Sequence, residues 1–223
     1  MNILVLGATG LVGAAPLQQA LADPRVDQVV APSRQRLPAH RKLANPVAAK
    51  IETLLPEVDS GTIDAVICAM GTTPAKAGSK EAFRHVDYEL PIAYARLARR
   101  RGAESFALVS SPGASLAIAL YYCRVKGEAE RDIAKIDFRS LTIVRPGLIG
   151  GDRAEFRRAE RIVFPIASAL QPLLPRGLHL NPASKIATIL VDAAVAPVPG
   201  CHLVTSGDVV GLPLDRGGAS SRP

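Results

Sequence analysis

Two serines, a tyrosine and a lysine carry the clearest chemical signal in the chain. The segment from Phe106 to Glu130 reads FALVSSPGASLAIALYYCRVKGEAE, so Ser110 and Ser111 close an apolar run of strand character and Tyr122 and Lys126 follow on a helical segment. Doubly wound α/β folds form their sites at the carboxyl ends of strands, which is where the serines fall. A spacing of four residues stacks Tyr122 and Lys126 on one helix face. A phenol keeps its proton at neutral pH, and a neighbouring ammonium favours its release. Tyr122 is therefore a candidate general acid, with Ser110 as the candidate donor to a substrate oxygen. Ser111 is the alternative to Ser110. Tyr-x-x-x-Lys is a weak motif by itself and gains weight from what precedes it.

That preceding feature is the opening NILVLGATGLVG, a strand followed by Gly7, Gly10 and Gly13 at three-residue spacing and then a helix. In this context the first glycine permits a tight turn, the second lets backbone approach a pyrophosphate, and the third lets helix and strand pack closely. The amides at the helix start then face the phosphates. A nicotinamide cofactor lacking the extra phosphate normally meets a carboxylate at the end of the second strand, where it binds the ribose diol. Here no Asp or Glu occurs between Asp27 and Glu52, and the strand end reads Ala31, Pro32, Ser33, Arg34, Gln35, Arg36. Ser33, Arg34 and Arg36 offer a hydroxyl and two guanidinium groups to a 2′-phosphate. The expected cofactor is thus NADP(H).

Positioning these groups requires short apolar strands alternating with helices. The pattern predicts strands at Asn2 to Leu6, Gln28 to Ala31, Ala48 to Ile51, Ala65 to Ala69, Ser105 to Val109, Leu141 to Arg145 and His202 to Thr205. Helices are predicted at Leu11 to Leu21, Asp87 to Arg101, Tyr121 to Ala134, Glu155 to Leu170 and Ala183 to Ala194, with a loop from Gly71 to Ser79. Pro16 falls near the first turn of its helix, where early amides lack intrahelical partners. The fold class implied is α/β, a doubly wound, mostly parallel sheet of about seven strands with helices on both faces. One domain over residues 1–211 is expected, with a substrate-side segment at about 147–181 and a polar Gly/Ser-rich tail at 212–223.

Composition narrows the function classes. Of 223 residues 48% are hydrophobic and 21% charged, the profile of a soluble folded protein, while tryptophan is absent and aromatics are only 4%, which suits a Leu/Val/Ile/Ala core around a parallel sheet. Cys68, Cys123 and Cys201 are odd in number and widely spaced, so neither disulfides nor a metal site is indicated. They point to a reducing compartment, and the start lacks a basic leader, so a cytoplasmic location is expected. No apolar run reaches the roughly 18 residues of a spanning helix. The formal charge of +7 comes from dispersed Arg and Lys with few interleaved aromatics, so specific nucleic-acid binding is not expected and a small-molecule substrate is. Oligomeric state is open, and a homo-oligomer is compatible with the sequence.

GATGLVG, AMGTTPAKAGSKEAFRHVDYELP, LVSSPGA, YYCRVKGEAE and IVRPGLIGGDR together resemble the short-chain dehydrogenases/reductases of the atypical, extended-like kind. More closely they resemble the Tat-interacting-protein oxidoreductase branch and its bacterial relatives, from the first strand to about Thr205. The resemblance implies a Rossmann sheet of about seven strands, NADP(H) binding and a Ser, Tyr, Lys site. It assigns Gly7, Thr9, Gly10, Leu11, Val12 and Gly13 to the cofactor turn and Arg34 to the phosphate-selecting position. Ala69, Met70, Gly71 and Thr72 fall at the fourth-strand edge, and Tyr122 and Lys126 match the catalytic pair. Lys50 stands where many relatives carry an adenine-binding Asp, and Pro16 is a second departure. Asp87 matches a position that supports the site, and a helix cap explains it equally. The function expected is hydride transfer to or from a small carbonyl or alcohol. A cofactor-binding sensor with little turnover is the second reading. Nucleotide-sugar epimerase or dehydratase chemistry is third, because only Gly147 to Asn181 is available to build a lid.

Overall fold

The computed structural model describes residues 1–58, 61–150 and 180–211. Strands β1 (Asn2–Leu6), β2 (Gln28–Val30), β3 (Leu43–Ala44), β4 (Ala65–Cys68), β5 (Ser105–Val109), β6 (Ser140–Arg145) and β9 (Gly200–Thr205) pair in parallel in the order β3-β2-β1-β4-β5-β6-β9. Chain order reverses at β1, whose neighbours β2 and β4 carry the chain to opposite edges; this is the switch point at which such sheets open a crevice. Strands β7 (Leu148–Gly150) and β8 (Leu180–Pro182) form a separate parallel pair.

Strand alternation decides which helix covers which face. Ile3 and Val5 point to one side with Ile67 and Ala107, where Leu17, Ala20 and Leu21 of α1 (Ala14–Ala22) and Ile186 and Leu190 of α7 (Ala183–Val195) cover them. Leu4, Leu6 and Val66 point to the other, under Tyr94, Leu97 and Ala98 of α5 (Leu90–Arg100) and Ile133 of α6 (Tyr121–Ala134). Both sets are almost wholly buried, as a two-sided parallel sheet requires. Short helices α2 (Leu55–Val58), α3 (Pro74–Ala77), α4 (Lys80–Arg84) and α8 (Ser206–Gly211) complete the described chain. No helix among the described residues is long and apolar enough to cross a membrane.

Three differences from the sequence reading have local causes. The third strand falls at Leu43–Ala44 rather than Ala48 to Ile51. Pro46 cannot donate to the ladder, Val47 keeps only an isolated bridge to Ser33, and Ile51–Leu54 turn into a 3₁₀ helix. The helix expected from Asp87 starts instead at Lys80, capped by the Ser79 hydroxyl on the Ala82 amide at 3.1 Å, and passes through a π-helical turn, His85–Glu89, before α5. Pro91 supplies the reason, because it has no N–H for the Asp87 carbonyl and its ring would press on it. Helix α1 starts at Ala14 rather than Leu11, which puts Pro16 in its first turn without a break. The helix predicted at Glu155 to Leu170, most of the 147–181 segment and the tail at 212–223 lie outside the described residues.

Candidate active site

The glycine turn is shaped by backbone crowding. Gly7 has φ +79°, and a Cβ there would come within 2.5 Å of the Ala69 carbonyl on the neighbouring strand exit. The Gly7 carbonyl accepts from the Gly10 amide at 2.8 Å. A Cβ on Gly13 would overlap that same carbonyl, and one on Gly10 would approach it to 3.0 Å. A side chain at Gly7 would therefore force the turn away from the exit of β4, and one at Gly13 would push the start of α1 off Gly7. Val12 turns into the core, while Thr9, Gly10 and Leu11 stay partly accessible at the carboxyl end of β1. Bare backbone at the switch point is the cradle that a pyrophosphate needs.

After β2 the chain forms a loop anchored from beneath. The Ser33 amide donates to Pro46 O at 3.1 Å and the Ala48 amide to Ser33 O at 3.2 Å. Ser33 is buried, and its hydroxyl is engaged within the loop, donating to Gln35 O at 2.5 Å and accepting from Asn45 Nδ2 at 2.8 Å. Arg34 and Arg36 are exposed and, among the described residues, form no hydrogen bond or ion pair. The two guanidinium groups are thus available to an anion, whereas the hydroxyl beside them is already satisfied.

At the exits of β4 and β5 the polar groups are buried. Asp87 sits on the π turn with an inaccessible side chain, and its Oδ1 lies 2.8 Å from Lys126 Nζ, itself nearly buried at 8%. This contact is an ion pair by proximity rather than an aligned hydrogen bond. Asp87 Oδ2 accepts from the Thr72 amide at 2.8 Å. Burial pushes the Asp87 carboxyl above its ordinary range, opposed by the Lys126 ammonium and the Thr72 amide. Gly71 makes room for the pair, since a Cβ there would stand 3.1 Å from Asp87 Oδ1 and 3.2 Å from Lys126 Nζ. Asp87 is therefore an ion-pair partner of Lys126 and not a helix cap.

Ser110 and Ser111 directly follow β5 and are buried, yet among the described residues neither hydroxyl has a hydrogen-bond partner. Unsatisfied buried hydroxyls are uncommon and call for a ligand or a structural reason. The loop from Ser111 to Tyr121 is fixed against α6 at Gly127, where a Cβ would come within 2.8 Å of the Ser115 backbone. Bidentate contacts of Arg145 with Glu130, at 2.9 and 2.5 Å, fasten the end of β6 to the same helix. Tyr122 is half-buried with its ring 5.4 Å from that of Phe83, and its hydroxyl makes no hydrogen bond among the described residues.

The sheet thus brings the glycine turn, Ala69 to Thr72, Ser110, Ser111 and Lys126 to one end of β1, β4 and β5. Ser33 is in the expected loop but turned inward. Sequence reasoning missed Asn45 and Phe83. Nothing marks Asn45 except its place before Pro46, and Phe83 lay in a stretch between loop and predicted helix.

The Rossmann-type α/β fold is shared with solved short-chain dehydrogenases/reductases. A protein of that family from Francisella tularensis superposes with a TM-score of 0.70 at 16% identity, covering 94% of this chain and 98% of its own. UDP-N-acetylglucosamine 4-epimerase from Methanobrevibacter ruminantium gives 0.69 at 14% identity, covering 92% and 76%. MoeE5 in complex with UDP-glucose and NAD gives 0.68 at 17%, covering 94% and 80%. Likeness at this identity establishes the fold. No family profile matches the chain.

Sequence relatives are closer. Protein Fmp52 of Aspergillus fumigatus is 36% identical over 214 residues, 89% of each chain, and that of Eremothecium gossypii is 38% identical over 160 residues, 69% of this chain and 68% of its own. The Saccharomyces cerevisiae protein is 34% identical over 169 residues, 71% of this chain and 70% of its own. The chain belongs to the Fmp52 family. These relatives are named as mitochondrial proteins, which overturns the cytoplasmic location inferred above. Free cysteines do not distinguish one reducing compartment from another.

Proposed function

We propose that the chain is an NADP(H)-dependent oxidoreductase interconverting a small carbonyl and its alcohol, in keeping with its resemblance to the Tat-interacting-protein branch. The observation that carries this reading is the pair of buried serine hydroxyls just after β5 that have no hydrogen-bond partner among the described residues, at the same sheet end as the buried Lys126–Asp87 pair and the Gly7, Gly10, Gly13 turn. Two neighbouring folds, MoeE5 and WbmG, are solved with NAD, which supports a dinucleotide here, and the carboxylate-free loop after β2 favours its phosphorylated form.

The Gly7 to Gly13 turn and the Ala69 to Thr72 edge would hold the pyrophosphate and the nicotinamide half, with Arg34 and Arg36 on the 2′-phosphate. When bound, the nicotinamide supplies or accepts the hydride. Ser110, or Ser111 beside it, donates a hydrogen bond to the substrate oxygen. Tyr122 holds the proton that this oxygen takes up as it becomes an alcohol. Lys126, fixed in position by Asp87, would hold the nicotinamide ribose and favour release of the Tyr122 proton.

Titration calorimetry with both cofactors, followed by NADPH oxidation against quinones, aldehydes and ketones, tests the proposal. NADPH should bind at least tenfold tighter than NADH, the worth of one charge-assisted contact, and at least one carbonyl class should be reduced. Equal affinities together with no carbonyl-dependent oxidation would overturn it.

A further inference from the structure

The arginine-bearing loop is closed by one side chain from the neighbouring strand exit. Asn45, directly after β3, donates from Nδ2 to Ala31 O at 2.6 Å and to Ser33 Oγ at 2.8 Å, and accepts at Oδ1 from the Leu37 amide at 2.8 Å. A carbonyl and an amide of the main chain have fixed roles, so the orientation of the Asn45 amide follows from its partners. Its three contacts fall at the start, within and at the end of the stretch from Ala31 to Leu37. Between the last two lie Arg34, Gln35 and Arg36.

Backbone pairing with the strand beside it stops at Ser33, whose carbonyl takes the Ala48 amide at 3.2 Å. Beyond that point the Leu37 amide is tied back by Asn45, and Ser33 Oγ relays the clasp to Gln35 O at 2.5 Å. Among the described residues, Arg34 and Arg36 themselves have no hydrogen-bond or ion-pair partner. A closed loop gives up much of its freedom before any ligand arrives, so less ordering cost remains for binding. Asparagine is suited to the task, since it joins one acceptor and two donors on a short stem.

We infer that Asn45 is the positioning residue for cofactor selectivity: by clasping Ala31, Ser33 and Leu37 it presents Arg34 and Arg36 to the 2′-phosphate while touching no cofactor itself. The inference rests on the NADP(H) reading. It predicts that loss of the clasp weakens NADPH selectively, because NADH lacks the 2′-phosphate that the two arginines would hold.

The test compares wild type and Asn45→Ala by calorimetry with NADPH and NADH, alongside amide hydrogen exchange without cofactor. NADPH affinity should fall about tenfold, the loss of roughly one net charge-assisted contact, with NADH affinity unchanged. Exchange at the Leu37 amide should quicken at least about tenfold, as an amide released from a net hydrogen bond would. Unchanged NADH binding reports an intact fold. If Asn45→Ala does not fold, Asn45→Gln serves, because it keeps the amide but displaces it by one methylene, and the same selective loss is expected. A wild-type protein with no NADPH preference would overturn the NADP(H) reading and the inference with it. A preference that survives in the variants, or NADPH and NADH affinities that fall together, would overturn the inference alone.

Discussion

Removing Asp87 probes the most deeply buried charge in the site. In Asp87→Ala the Lys126 ammonium, only 8% accessible, loses a carboxylate 2.8 Å away, and the Thr72 amide loses its acceptor at 2.8 Å. Breaking a buried pair from one side costs about 3–5 kcal/mol, and the stranded amide adds about 1 kcal/mol. A domain of this size shifts by about 2–4 °C per kcal/mol, so the melting temperature should fall by roughly 10–20 °C. The double variant Asp87→Ala/Lys126→Met removes the stranded charge and fills its space with an apolar chain of similar length. It should recover about 2 kcal/mol or more relative to the sum of the singles. Urea denaturation of the four proteins closes the cycle. Lys126→Met alone should become more stable as pH falls: burial already holds the Asp87 carboxyl above its ordinary range. A carboxyl raised on folding contributes fully below its unfolded value near 4 and loses that contribution as pH rises through its folded value. Additivity of the two single variants within about 0.5 kcal/mol would refute the coupling.

Two further outcomes follow from the same geometry. Gly13→Ala should destabilise the fold by about 3 kcal/mol or more, because its Cβ meets immovable backbone, whereas Gly10→Ala should cost about 1–2 kcal/mol at a milder contact; equal denaturation midpoints would refute the distinction. Burial pushes the Cys68 thiol up to about 11, so about 2–3 kcal/mol of stability present below pH 9 should be lost as pH rises through 11 in wild type but not in Cys68→Ala. At pH 8 iodoacetamide should label exposed Cys201 and leave Cys68 untouched, and the reverse order of labelling would contradict this.

Elements with strong local patterns were legible in the sequence, and those set by long-range contacts were not. Strands β1 and β5 and helix α6 match their predicted bounds because each is an uninterrupted apolar run or an amphipathic segment with clear ends. The third strand shifted because an edge strand two residues long carries almost no periodic signal. The π turn was hidden because it depends on how Pro91 and Asp87 stack in space, though Ser79 was a readable cap. For the candidate site, the glycine and Tyr122/Lys126 spacings read in their strand and helix context pointed to one end of the sheet, and Gly7, Gly10, Gly13, Ser110 and Lys126 lie there. The even choice at Asp87 could be settled only by seeing Lys126 against it, since 39 positions separate them. Ser33 was assigned to the phosphate on residue type, but its hydroxyl is satisfied by Asn45 and Gln35.

The most direct test of the proposed chemistry is the rate of NADPH-dependent carbonyl reduction by wild type and Tyr122→Phe, measured with NADPH affinity on the same preparations. The variant keeps the ring and its packing on Phe83, 5.4 Å away, and lacks only the hydroxyl that carries the transferable proton. Turnover should fall by about 10² to 10⁴, the usual worth of general acid catalysis, with NADPH affinity little changed. A Phe variant as active as wild type would contradict the account.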